Sequence, residues 1–244
     1  MSIIHISETT STNEYLSELQ KKEKLEEGTI VWTDFQTAGK GQTGNSWESE
    51  PNKNLLFSIL FYPDFLEVAE QFILSQAVSL AIVDTLKPLL KNETVSIKWP
   101  NDIYVGNKKM VGILIENTIK GNSINTCIAG IGINVNQEIF RSNAPNPVSL
   151  KQLTGETYKL NDLLKTLQNN LLTRYVELCN NNETNTVLDY KENLFRKDGY
   201  YPYKSSDSVF EAKIKSVLPS GHLVLEEKNG EILKFAFKEV QFLF

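Results

Sequence analysis

Three short segments of the chain hold residue types that can do chemistry. Lys98-Trp99-Pro100-Asn101-Asp102 sets a cation and a carboxylate on either side of a proline. Proline cannot donate to a β-ladder, so the backbone must turn there and the flanking side chains converge on one corner. A lysine so placed can stabilise an anion. It can equally lay its stem along Trp99 and keep its amine in water. Asp102 is open to the same two readings, as a working carboxylate or as a turn former.

Gly39-Lys40-Gly41-Gln42-Thr43-Gly44 has the letters of a dinucleotide-binding turn. That reading needs a helix to open at once, so that its N-terminus can hold a pyrophosphate. The residues that follow, 45–54, are loop-forming instead, and the dinucleotide reading fails. A surface loop remains possible on glycine content alone, but Trp47 is a large aromatic that is costly to leave exposed. Gly130-Ile131-Gly132-Ile133-Asn134-Val135-Asn136 places two asparagines at the end of an apolar strand, where they can simply stabilise a turn.

The elements that must position these segments follow from periodicity. Ser11 or Thr12 caps a helix carrying Tyr15, Leu16 and Leu19. Strands are expected over 29–35 and 54–62, joined by a loop over 36–52 that is long for a compact domain. Apolar residues at helical spacing predict a helix over 67–90. A strand meander is expected over 95–99, 103–105, 110–120 and 125–136, with a hairpin turn at 105–108. Helices are expected over 160–179 and 185–195. From about Lys197 the pattern changes to short strands over 208–216, 222–226 and 232–237, with turns at 219–221 and 228–230. The fold class is therefore α+β, a mixed β-sheet with helices packed on one face, followed by a small C-terminal β-barrel. The expected division is 1–196 and 197–244.

The chain has 244 residues, 41% of them hydrophobic, enough for one sizeable core and a small appended unit. A net charge of -5 argues against a dedicated nucleic-acid binder, because phosphate contacts need clustered Lys and Arg. The lysines of the tail are balanced by acids. Cys127 and Cys179 match no metal spacing, and His5 and His222 are the only histidines, so a His/Cys zinc site is not expected. Cys127 reads as a small core residue. The N-terminus has no signal-peptide pattern, and no apolar run approaches the roughly 20 residues of a membrane helix. A cytoplasmic protein with no membrane association is expected.

Taken together, Thr10–Asn13, the 36–47 loop, Lys98–Asp102, Lys109–Glu116 and Gly130–Asn136 occur in the order and rough spacing of biotin protein ligases, and the chain resembles that family over nearly its whole length. The resemblance implies a ligase domain followed by an SH3-like barrel. It implies joining of the biotin carboxylate to the α-phosphorus of ATP, then transfer of biotin to a lysine of a biotin carboxyl carrier protein. Lys98 would be the active-site lysine, with Lys40 assisting from the loop. Ser11, Thr12, Gln36 and Gly39, with the backbone of Gly112, Ile113 and Leu114, would hold biotin. Lys40, Gly41, Trp47, Lys98, Asn101 and Asn134 would hold ATP or the adenylate. Magnesium would neutralise the leaving pyrophosphate, with ligands the sequence does not reveal. The 36–47 loop would order over the ligand to keep water from the mixed anhydride, and 137–147 would fold over the adenine.

The chain departs from the family in its loop, where Lys40, Gln42, Thr43 and Asn45 stand in place of several arginines; the adenylate would then be clamped less tightly. The motif begins at Thr10, so no DNA-binding domain is expected ahead of it. A monomer or a homodimer is compatible with the sequence. The rivals are a lipoate or octanoate ligase and a non-catalytic biotin-binding module.

Overall fold

The chain enters on an edge strand, β1 (Ile3–Thr9), which pairs in parallel with β2 (Ile30–Gln36). Helix α1 (Thr12–Lys22) makes the crossover that a parallel pair requires. The computed structural model describes residues 2–42, 44–142, 146–180, 182–206 and 208–244. Thr43 and residues 143–145 of the second expected loop lie outside them. Strand β1 is absent from the sequence-based expectation because its residues are mostly half-buried or exposed and lack a continuous apolar run.

Strand β3 (Leu55–Phe61) is buried at every residue, as its near-unbroken apolar run requires. After a single 3-10 turn at Val68–Glu70, helix α2 (Phe72–Leu86) crosses the sheet. Strands β4 (Val95–Lys98), β5 (Asp102–Val105), β6 (Lys108–Lys120) and β7 (Ser123–Ile133) form the expected meander. The seven strands lie in the order β1-β2-β3-β7-β6-β5-β4. Helices α3 (Leu150–Thr154), α4 (Leu160–Cys179) and α5 (Glu183–Glu192) follow, α3 being too short to leave a periodic signal.

Alternation along the strands separates the two faces. Ile30, Phe57, Ile59, Ala129 and Ile131 join the large core with α2, α4 and α5. Val31, Leu60 and Ile128 point the other way and bury Leu16 of α1. The remainder of that second face, beyond the C-terminal ends of β1 and β2, is left for the site.

The tail forms a five-stranded antiparallel sheet in the order β11-β10-β9-β8-β12. Its strands are β8 (Tyr201–Ser205), β9 (Ser208–Val217), β10 (Leu223–Glu227), β11 (Ile232–Phe235) and β12 (Gln241–Phe242). It docks through Trp99, whose indole N–H donates to the Gly221 carbonyl at 2.9 Å. Gly221 has a φ of +87° and leaves no room for a side chain, because an added Cβ would stand 2.9 Å from the Phe72 ring. No helix among the described residues is long and apolar enough to cross a membrane.

Candidate active site

A cavity of about 650 Å³ opens between the glycine-bearing face of β6 and β7 and the C-terminal sheet. Its floor is backbone. Gly112 of β6 lies directly opposite Gly132 of β7, and Gly130 lies between Leu114 and Ser58 of β3. The indole of Trp47 lies on that floor. A Cβ on Gly132 would stand 2.5 Å from its Cε2 and one on Gly112 2.8 Å from its Cζ3, distances no methyl group tolerates. Trp47 is drawn there by the loop, whose backbone closes through Trp47 N–H to Gly39 O at 2.9 Å and Gly41 N–H to Asn45 O at 3.0 Å. The buried Nε1 of Trp47 has no hydrogen-bond partner among the described residues.

One end of the cavity is uncharged and polar. Ser11, Thr12 and Asn13 begin α1 and are all buried. Ser11 occupies the N-cap position, but its side chain makes no capping hydrogen bond; the residue lines the cavity. The backbone N–H of Thr12 donates to Gln36 Oε1 at 2.8 Å, and the Thr12 hydroxyl donates to the same oxygen at 3.2 Å. With its oxygen held, Gln36 can offer only its amide protons beyond that contact. Beneath lie Ser58, Asn13 and Glu116, linked by hydrogen bonds of 2.6–2.7 Å.

The other end is cationic, with Lys98 and Lys109 gathered about Asp102; Lys40 and Lys238 also line the cavity. This is the reverse of the chain's overall charge, and a cavity so lined favours an anionic occupant. Lys98 packs its amine over the rings of Tyr104 and Phe242, 5.1 Å from each centroid. Burial pushes the Lys98 amine below its ordinary value; Asp102 opposes that shift, and Lys109 and Arg196 reinforce it. Lys109 pairs with Asp102 at 2.6 Å and sits 5.8 Å from the Trp47 ring. Lys40 is turned aside, paired with Glu14 of α1; that hydrogen bond raises the Lys40 amine and lowers the Glu14 carboxyl.

The structure therefore brings Ser11, Thr12, Gln36, Lys40, Gly41, Trp47, Lys98, Asn101, Gly112, Ile113 and Leu114 to one cavity. Gly39 stands behind the wall, its ideal Cβ 3.2 Å from Gln36 Nε2. Asn134 does not line the cavity, because its amide donates to Val148 O at 3.2 Å and its backbone joins β6 and α3. Asn101 binds Ile113 at both its side-chain amide and its backbone carbonyl, at 2.7 and 2.9 Å, and so splices the 99–101 turn to β6.

Sequence reasoning left Lys109 without a role, although it quoted the segment that Lys109 opens. Strict alternation from Gly112, Leu114 and Glu116 puts Lys109 on the opposite face. The pairing of β5 with β6 shifts register after Ile103, leaving Met110 as the extra residue of a bulge, and this returns Lys109 to the cavity face. The contribution of Lys238, Val240, Gln241, Phe242 and Phe244 to the wall also escaped, since it depends on how the C-terminal sheet docks.

A mixed sheet with a glycine-floored cavity closed by a small C-terminal sheet defines an α+β architecture with one site between its two sheets. The same fold is seen in the biotin protein ligase from Aquifex aeolicus in complex with biotin and ATP, at a TM-score of 0.78 and 23% identity, covering 99% of both chains. Residues 6–134 match the Biotin/lipoate A/B protein ligase family, and the chain belongs to that family. Among curated relatives, the bifunctional ligase/repressor BirA of Bacillus spizizenii is 32% identical over 213 residues, covering 84% of this chain and 63% of that protein. BirA of Bacillus subtilis is 41% identical over 113 residues, covering 46% of this chain and 34% of that protein. The chain thus spans less than two thirds of the length of these relatives.

Proposed function

We propose that the chain is a biotin protein ligase that forms biotinyl-5'-adenylate and passes biotin to a lysine of a biotin carboxyl carrier domain. The observation that carries this reading is the polarity of one cavity, with neutral hydrogen-bonding groups at Ser11, Thr12 and Gln36 at one end and Lys98 and Lys109 at the other. Biotin has the matching polarity, a ureido head and a carboxylate tail. The relatives named as ligases, and the Aquifex aeolicus structure with biotin and ATP, support it.

In the first step a biotin carboxylate oxygen attacks the α-phosphorus of ATP, and the bond to the β-phosphate breaks to release pyrophosphate. Two anions must meet, so fixed cations at the meeting point lower the barrier most. In this reading Lys98 and Lys109 supply those cations, and Trp47 on its glycine floor shields the product from water. In the second step the neutral amine of the acceptor lysine attacks the carbonyl, and AMP leaves. Asn134 has no direct part in this reading, since it braces the end of β7 against β6 and α3 outside the cavity. Glu48 fastens the segment 137–142 to the first loop by accepting from the backbone N–H of Arg141 and Ser142 at 2.8 and 2.7 Å.

No group of three or more His, Cys, Asp or Glu among the described residues could hold a metal ion. The carboxylate that lines the cavity, Asp102, is already paired with Lys109. The residues thus do not fit a resident magnesium site, and magnesium would arrive with the nucleotide substrate. ATP-dependent modification and two free cysteines suit a reducing cytoplasmic compartment.

The test is to incubate the chain with ATP, magnesium, biotin and a biotin carboxyl carrier domain, and to locate the added mass. Biotin on a single carrier lysine is expected. Transfer of lipoate but not biotin would overturn the reading in favour of the lipoate branch of the family.

A further inference from the structure

Between Gln36 and Trp47 the chain carries one charged side chain, Lys40. The glycine floor gives the Trp47 indole a flat contact, but apolar contact is non-directional and does not by itself fix where the ring rests. Directional ties lie on both flanks of Trp47. Upstream, Lys40 bridges to Ser46 across a narrow hairpin and pairs with Glu14 in the first turn of α1. The Thr10 hydroxyl donates to the other oxygen of that carboxylate at 3.1 Å, so Glu14 is itself oriented.

Downstream, the residue next to Trp47 is Glu48. Its two oxygens accept from the successive backbone N–H groups of Arg141 and Ser142 at 2.8 and 2.7 Å. Successive N–H groups turned to one side form a concavity that suits a single anion. Burial raises the Glu48 carboxyl, but the Ser142 hydroxyl and these two N–H groups outweigh it and hold the carboxyl below its ordinary value. The backbone behind Glu48 is fixed to the same segment. The Glu50 N–H donates to Gln137 Oε1 at 3.0 Å, and the Asn136 N–H donates to Lys53 O at 2.7 Å. Both carboxylates stand outside the cavity wall. We infer that Glu14 and Glu48 are positioning residues, two fasteners outside the cavity that together hold Trp47 over the site. Glu48 is the stronger, because it takes two charge-assisted hydrogen bonds from main chain, whereas the Glu14–Lys40 pair is an exposed one. The inference rests on the ligase reading only for what Trp47 covers, the mixed anhydride.

The test has two readouts in wild type, Glu48→Ala, Glu48→Gln and Glu14→Gln. The first is the rate at which trypsin cuts after Lys40 in the protein alone, located by mass and compared with cutting at lysines elsewhere. The second is the release rate of bound biotinyl-adenylate. Loss of charge-assisted hydrogen bonds is worth on the order of tenfold. Glu48→Ala, which does not touch Lys40, is expected to speed cutting there by about that factor, with the denaturant midpoint unchanged. Glu48→Gln should be less affected, since its amide oxygen can still accept from one of the two N–H groups. Glu14→Gln should speed cutting about two- to threefold, the worth of an exposed pair. Adenylate release should rise in the same order across the variants. Cutting after Lys40 that is unchanged in Glu48→Ala overturns the inference. So does a rise matched at lysines elsewhere, which is general loss of stability. Adenylate release that stays unchanged where cutting is faster overturns it too, because the fasteners would then hold the loop without holding the cover. A wild type that forms no adenylate overturns the ligase reading, while the trypsin readout still decides whether Glu14 and Glu48 hold the loop.

Discussion

At the scale of single residues, the site is defined as much by absent side chains as by present ones. Gly112 and Gly132 form a floor that only a flat ring can use, and Trp47 takes it. Gly132→Ala puts a methyl where the indole lies, and no rotamer of alanine avoids that. The loop would then fail to close, and bound adenylate should dissociate about tenfold faster, an effect of 1.4 kcal/mol that a filter-retention time course would read. An unchanged release rate would mean that Trp47 does not cover the ligand. Lys98 is the residue whose burial works against the fold. Its amine has a lowered affinity for protons, so the unfolded chain binds more protons than the native one between the folded and the ordinary lysine value. Stability therefore rises with pH across that window, and below it the native state bears the cost of a buried charge. Lys98→Met should raise the melting temperature at neutral pH by about 2–4 °C, the shift that 1 kcal/mol gives in a chain of this size. The gain should shrink as pH climbs toward the ordinary lysine value, while activity is lost throughout. A melting point that falls on substitution would show that Lys98 is held by attraction and not merely tolerated.

At the scale of elements, the helices behind the sheet share one apolar core and are cross-linked at its rim by one guanidinium. Arg174 of α4 meets Asp84 of α2 at 2.8 Å and Asp189 of α5 at 2.8 Å. The aspartates are partly exposed, so Arg174→Ala should cost about 1–2 kcal/mol, below the figure for a fully buried pair. Denaturant unfolding would show this loss with both KM values unchanged; a raised biotin KM would mean the helices transmit strain to the site. Helix α4 and the meander were legible because their burial repeats with a period, and the predicted span of α4 coincides with the observed one; α2 is buried on nearly every side, and its expected span of 67–90 overran the observed Phe72–Leu86. Strand β1 was not legible, since an edge strand half in water has no such pattern. Lys109 was hidden for a related reason. A bulge changes which face a residue joins, and no residue type in Lys108–Met110 announces it. The lysine of the Lys98–Asp102 motif drew notice because a proline sits beside it, and the partner across the hairpin did not.

At the scale of the whole molecule, the cavity is complete only when the C-terminal sheet is docked. Phe242 and Phe244 give it a wall, and Arg196 fixes that wall at the junction. The Arg196 guanidinium lies 4.9 Å from the rings of Tyr201 and Phe244 and 5.1 Å from that of Phe195, and donates to Leu243 O at 2.7 Å. Its left-handed φ of +58° is tolerated because these contacts over-determine it. The most direct measurement of the central claim uses the intact chain with ATP, magnesium and biotin and no acceptor. Pyrophosphate release and bound biotinyl-adenylate are followed in wild type, Lys98→Ala and Lys109→Ala. The account predicts a biotin-dependent burst, with retained adenylate, that falls by about two orders of magnitude or more when either cation is removed. Biotin bound tightly with no pyrophosphate released would contradict it, and would make this cavity a binding site instead of an active site.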